Sequence, residues 1–174
     1  MLDDIIEFIR DMFAYIFIIG IIILIRAYVF TPIEVVGRSM EPNFSDGDMV
    51  LMDKLIHKTK SENRYERFDV VVMSYTSPRY LIKRIVGLPG ESISYFDNEL
   101  YINGELIEEG IELTGMTADF FVDGKIPDGK YFVLGDNRIN STDSRNFGFV
   151  PKENIVGKPF AVLWPLNDLR IVRP

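Results

Sequence analysis

From Met12 to Ile25 every position is apolar or glycine. With Arg26 to Phe30 included, the stretch reaches a length that, at ~1.5 Å per residue, comes to roughly 28 Å, close to a bilayer's hydrocarbon core. The pattern therefore predicts a membrane-spanning helix over residues 12–30, with residues 1–11 as a short segment ahead of it. Arg26 falls within one turn of the end, where a long side chain reaches the headgroups. Two alternatives fit less well. A core helix would carry a polar face, and Ala27-Tyr28-Val29-Phe30 offers no small-x-small site for cleavage of a secretory signal. Arg10 on one side against Arg26 and Arg38 on the other leaves the orientation undecided.

Beyond Phe30 the signals become those of a β domain, with Val, Ile, Leu, Phe and Tyr runs cut by Gly, Asp, Asn and Pro. Strands are expected at Ile33–Val36, Asp48–Leu55, Asp69–Tyr75, Tyr80–Val86, Ser92–Phe96, Glu99–Ile102, Tyr131–Leu134, Lys158–Leu163 and Leu169–Val172, and helix only in the anchor. Asn103-Gly104 between two apolar triplets is a strong two-residue hairpin signal. Residues 92–130 read as an inserted hairpin region with a looser middle near Gly110–Ala118. The expected fold is thus mainly β: one N-terminal transmembrane helix, then an antiparallel sheet or barrel-like domain over residues 31–174.

The net charge of −7 divides into −2 for residues 1–30 (Arg10 and Arg26 against Asp3, Asp4, Glu7 and Asp11) and −5 for the rest. An acidic domain without a basic cluster is a poor match for nucleic acid, whose phosphates dominate non-specific affinity. Cysteine is absent, which excludes thiolate nucleophiles, disulfides and zinc–thiolate sites. The single histidine, His57, lies in the polar stretch His57–Arg64, so a histidine triad or a two-histidine metal site has little to stand on. Neither a metal nor a cofactor is expected.

Chemistry without cysteine or a usable histidine needs a hydroxyl nucleophile and a carboxylate or lysine base. Ser39, in Gly37-Arg38-Ser39-Met40, follows the apolar stretch by nine residues, so it stays within ~30 Å of the bilayer even on an extended chain. Lys83 sits in Tyr80-Leu81-Ile82-Lys83-Arg84-Ile85-Val86, sharing a strand face with Leu81 and Ile85. Apolar cover lowers an amine from ~10.4 toward the range where it accepts a proton. Arg84 has equally apolar neighbours but keeps its proton, so chemistry and not pattern separates the two. Taken singly, Ser39 also reads as a turn serine, and Lys83 as an edge-strand lysine reaching water.

Five blocks in order carry a resemblance: Gly37-Arg38-Ser39-Met40-Glu41-Pro42; Gly47-Asp48-Met49-Val50; Arg67-Phe68-Asp69-Val70-Val71; Lys83 through Glu91; and Gly135-Asp136-Asn137-Arg138 with Asn140 through Arg145. Together with the anchor they make the chain resemble the bacterial type I signal peptidases, in the short Gram-positive form. The resemblance implies Ser39 as nucleophile, Lys83 as general base, Ser141 holding the lysine, Asp143 paired with Arg145, and Asp136 paired with Arg84. It implies shallow pockets for small side chains around Ile33, Val35, Val36, Met40, Leu81 and Ile82. Many relatives carry a serine where this chain has Gly37, so the oxyanion hole is left to backbone N–H groups, chiefly that of Ser39.

On this basis the chain is expected to be a membrane-bound serine endopeptidase that cuts signal peptides from preproteins. Its partners would be those preproteins, the lipid bilayer and, indirectly, the export machinery. It would cross the cell membrane once, with its N-terminus cytoplasmic and its catalytic domain outside. Two rivals remain: a self-cleaving repressor-type serine–lysine protease, which carries a DNA-binding domain in place of an anchor, and an anchored β domain that only binds.

Overall fold

The computed structural model describes residues 2–55, 65–76 and 79–172; His57 and its polar stretch lie outside the described residues. Helix α1 runs from Leu2 to Tyr28, ten residues further toward the N-terminus than the apolar run alone predicts. Ile5, Ile6, Phe8 and Ile9 extend the apolar character between the early charges, and Arg10 meets Glu7 one turn back at 3.0 Å. Its segment Ile5–Tyr28 holds an 18-residue window with a mean hydropathy of 2.3 that is not buried by the rest of the protein, so the helix is long and apolar enough to cross a membrane.

The helix passes into the β domain with no loop between them. Lys54 Nζ donates to the carbonyls of Arg26 and Ala27, and Thr31 Oγ1 donates to that of Arg26 at 3.2 Å. Helix-end carbonyls that would otherwise lack partners are thus taken up by the domain itself.

Strand β1 (Phe30–Glu34) follows, then β2 (Met49–Asp53), β3 (Val70–Thr76), β4 (Arg79–Gly87), β5 (Ile93–Phe96), β6 (Glu99–Ile102) and β7 (Glu105–Ile107). After these come β8 (Phe120–Phe121), β9 (Lys130–Leu134), helix α2 (Ser144–Phe147), β10 (Val150–Pro151), β11 (Ile155–Trp164) and β12 (Arg170–Ile171). Among the described residues these form a curled eight-stranded antiparallel sheet in the order β1-β2-β11-β3-β4-β9-β10, with β12 on β11. A four-stranded sheet, β7-β6-β5-β8, makes up the inserted region. Its β6–β7 turn is Asn103-Gly104 with φ of 54° and 83°, both in the left-handed region that a two-residue hairpin requires.

Helix is not confined to α1, although the sequence predicts it only there. Asp143 caps α2 with its carboxylate on the Arg145 N–H, and Asn146 Oδ1 answers on the Asp143 N–H. β11 is also longer than expected, because Ile155 and Gly157 pair with β3 before the strand moves across to β2. Two-residue strands such as β8 and β10 are too short to show a period. β1 ends at Glu34 and not Val36, although Val35 still exchanges backbone bonds with Asp48 and Gly47.

Three apolar clusters hold the domain together. One packs Val35, Met40 and Phe44 onto Val50, Val70 and Ile82; a second gathers Val71, Ile85, Val133 and Ile155; the third joins Val86 and Phe132 to Ile93, Tyr95 and Leu100 of the small sheet. β4 contributes to all three, and a buried strand of this kind fixes the direction of each of its side chains.

Candidate active site

Ser39 lies in the turn after β1, half-buried, with Met40 and Phe44 of that turn anchored in the core. Asn137, just past β9, donates its N–H to the Ser39 carbonyl at 3.1 Å. Gly135 permits this approach. A Cβ there would stand 2.4 Å from the Ser39 carbonyl oxygen and 2.3 Å from Ser141 Oγ, so no other residue fits.

Lys83 comes from the middle of β4, opposite Val71 of β3 and one residue before β9 joins the other side, and is 1% exposed. Its Nζ stands 2.6 Å from Ser39 Oγ and donates to the Ile82 carbonyl at 2.9 Å. Burial lowers the amine from 10.5 to about 8, against the opposing pull of Asp143 and Asp136. The lysine is therefore buried in the sheet and does not run out to water from an edge. On the order of a tenth of the amine is then neutral at pH 7, and it lies within proton-transfer distance of a hydroxyl.

Two ion pairs lie under this contact. Arg84 donates through Nε and Nη2 to the two oxygens of Asp136 at 2.8 and 2.7 Å, and through Nη1 to the Phe68 carbonyl. Arg145 meets both oxygens of Asp143 at 2.8 Å and also reaches the Arg138 carbonyl. Burial alone would raise the Asp143 carboxyl. Arg145 and the Gly135 N–H, with Ser141 nearby, instead hold it below the usual carboxylate range. Ser141 Oγ itself is buried and makes no hydrogen bond of good geometry, so the lysine's second contact is the Ile82 carbonyl and not this hydroxyl.

Gly37 has φ +93°, where side chains other than glycine's are strained, and its N–H is donated to Asp46 Oδ1 at 2.7 Å. That N–H is thus already engaged.

Beside Ser39 runs a shallow cleft lined by Ile33, Val35, Val36, Met40, Leu81 and Ile82, joined by Glu34 and Tyr80. Val35, Met40 and Ile82 belong to the first core cluster, whereas Val36 is 83% exposed. The cleft lies between strand edges that make no ladder bonds among the described residues. β1 pairs only with β2, and β9 takes up β4 only from Arg84 onward.

The sequence assigns no role to three supporting residues, although Arg138 stands in one of the motif blocks. Asn43 donates to Asp136 and to the Glu112 carbonyl, Asp46 holds Gly37, and the buried Arg138 binds Glu109, Tyr95 and Thr117. Arg138 and Asn43 thereby fasten the inserted region to the loop under the site. Among the described residues no group of three or more histidines and carboxylates is arranged to hold a metal ion.

A family model described as signal peptidase, peptidase S26 matches residues 5–164. Signal peptidase I V of Bacillus subtilis (strain 168) is 41% identical over 146 residues, covering 76% of this chain and 85% of its own. Signal peptidase I of Bacillus amyloliquefaciens is 37% identical over 172 residues, covering 90% and 86%. Among solved structures, a signal peptidase I from Enterococcus faecalis V583 is 37% identical, covers 54% of this chain and 95% of its own, and aligns with a TM-score of 0.47.

Proposed function

The chain belongs to the signal peptidase S26 family, and from that premise we propose that it removes N-terminal signal peptides from exported preproteins as a membrane-anchored serine endopeptidase. The observation that carries the mechanism is the 2.6 Å contact between Lys83 Nζ and Ser39 Oγ in a buried setting. Neutral Lys83 takes the hydroxyl proton as Oγ attacks the scissile carbonyl carbon. The resulting ammonium gives that proton to the departing amine when the C–N bond breaks. Water, deprotonated by the same amine, then hydrolyses the acyl-enzyme and frees Ser39.

With the Gly37 N–H engaged by Asp46, the Ser39 N–H is the donor left to face the developing oxyanion. Asp143 with Arg145, and Asp136 with Arg84, act as supports, and Ser141 fills the space beside them, since a base without a carboxylate partner depends on its surroundings for position. The apolar cleft takes small side chains on the substrate, and its two free strand edges suit an extended peptide.

The helix anchors the protein, with its N-terminal end in the cytoplasm and the domain from residue 31 outside. The repressor-type alternative is disfavoured because an apolar helix occupies the place of a DNA-binding domain. A purely binding role is disfavoured by the lowered lysine against the hydroxyl. The test is cleavage of a purified preprotein by the full chain in liposomes, beside Ser39→Ala and Lys83→Ala variants. Cleavage by the parent alone is expected, and full activity in Lys83→Ala would refute the mechanism.

A further inference from the structure

The cleft beside Ser39 has an apolar floor and one carboxylate, that of Glu34, on its rim. Glu34, exposed at the end of β1, lines it, and its carboxylate makes no ion pair or hydrogen bond among the described residues. Opposite, Tyr80 of β4 lines the same cleft with its side chain 54% exposed. On the nucleophile turn the guanidinium of Arg38 is already matched by Glu41 at 2.9 Å, and Asp46 adds a further carboxylate behind Gly37. Among the described lining residues Glu34 is therefore the one carboxylate, and it carries its charge without a partner.

We propose that this rim reads charge on the substrate: it favours a scissile segment carrying Lys or Arg at the outward-facing position between two small side chains, and disfavours Asp or Glu there. The proposal rests on the proteolytic function above. Side chains of an extended peptide alternate between faces, so when small ones enter the floor the residue between them points outward. There it meets the Glu34 carboxylate and the ring of Tyr80. A cation gains from both, by charge attraction and by contact with the ring face, while an acidic side chain meets repulsion. Solvent-exposed charges act weakly, so the rim ranks substrates and does not gate them.

The experiment uses the full chain in liposomes and three peptides that differ only in that middle residue: Lys, Gln or Glu. kcat/KM is expected to fall in that order, by about fivefold from first to last at low salt, and the spread is expected to shrink at high salt. Glu34→Lys should reverse the order, and Tyr80→Leu should reduce the advantage of Lys over Gln. Equal cleavage of the three peptides, or an order that survives Glu34→Lys, overturns the proposal while leaving the peptidase function intact. Failure to cleave any of them overturns that function itself.

Discussion

Lys83 and Arg84 are consecutive residues of one strand, on opposite faces, and they are 1% and 4% exposed. Arg84 meets a carboxylate through two parallel hydrogen bonds, whereas Lys83 meets a hydroxyl and a peptide carbonyl. The contrast separates two uses of a buried cation. With a matched counter-charge in contact it ties strands together, as Arg84 ties β4 to the loop after β9. Without one, the cost of burial falls on the proton, and the group becomes a base.

The largest test of this contrast is catalytic. Ser39→Ala and Lys83→Ala should each lower kcat on a preprotein by on the order of 10⁴-fold or more, with unchanged far-UV circular dichroism. Comparable loss from Arg84→Lys, with the fold intact, would erase the distinction between the faces.

Stability should separate the two residues by sign. Asp136→Ala strands the Arg84 guanidinium without its counter-charge and should cost about 3–5 kcal/mol in denaturant unfolding. Lys83→Met should act oppositely, gaining about 1–3 kcal/mol at pH 6. At that pH the lysine is charged in both states, and the folded state, with its amine lowered to about 8, bears the whole penalty. The unfolded chain binds more protons between about 8 and 10.5, so the parent's stability from this group rises with pH through that window. The gain from Lys83→Met should therefore vanish above it.

The pH dependence of rate sharpens the same point. On the proposed mechanism the neutral amine is the active form, so kcat/KM should climb as pH rises and level off above about 8. The smallest effect is expected from Asp143→Asn. Asp143 raises the lysine's proton affinity, so its neutralisation should move the midpoint of that climb to lower pH. An upward shift would contradict the assigned electrostatics.

The sequence carries some of this plainly and some not at all. Asn103-Gly104 specifies its turn through local backbone preference, and the apolar helix through an uninterrupted run, so both are readable without tertiary knowledge. Lys83 and Arg84 are not separable by pattern, since each has apolar neighbours two positions away. Their roles differ because the sheet directs one at the turn after β1 and the other at Asp136, contacts that span 44 and 52 residues. Asn43 reaches across 93 residues to Asp136, and nothing near it in the chain announces that bond. The α2 helix was hidden for another reason: a four-residue element rests on its cap and not on periodicity.

The join between α1 and β1 has one more consequence. Lys54 and Thr31 bind the last carbonyls of the helix, and β1 starts two residues after it. In an anchored molecule such a junction has little play, and the elevation of the cleft over the lipid is set like the stop on a depth gauge. A polypeptide emerging from the bilayer would then be cut at a height, and lengthening this junction by a few flexible residues would blur which bond is chosen.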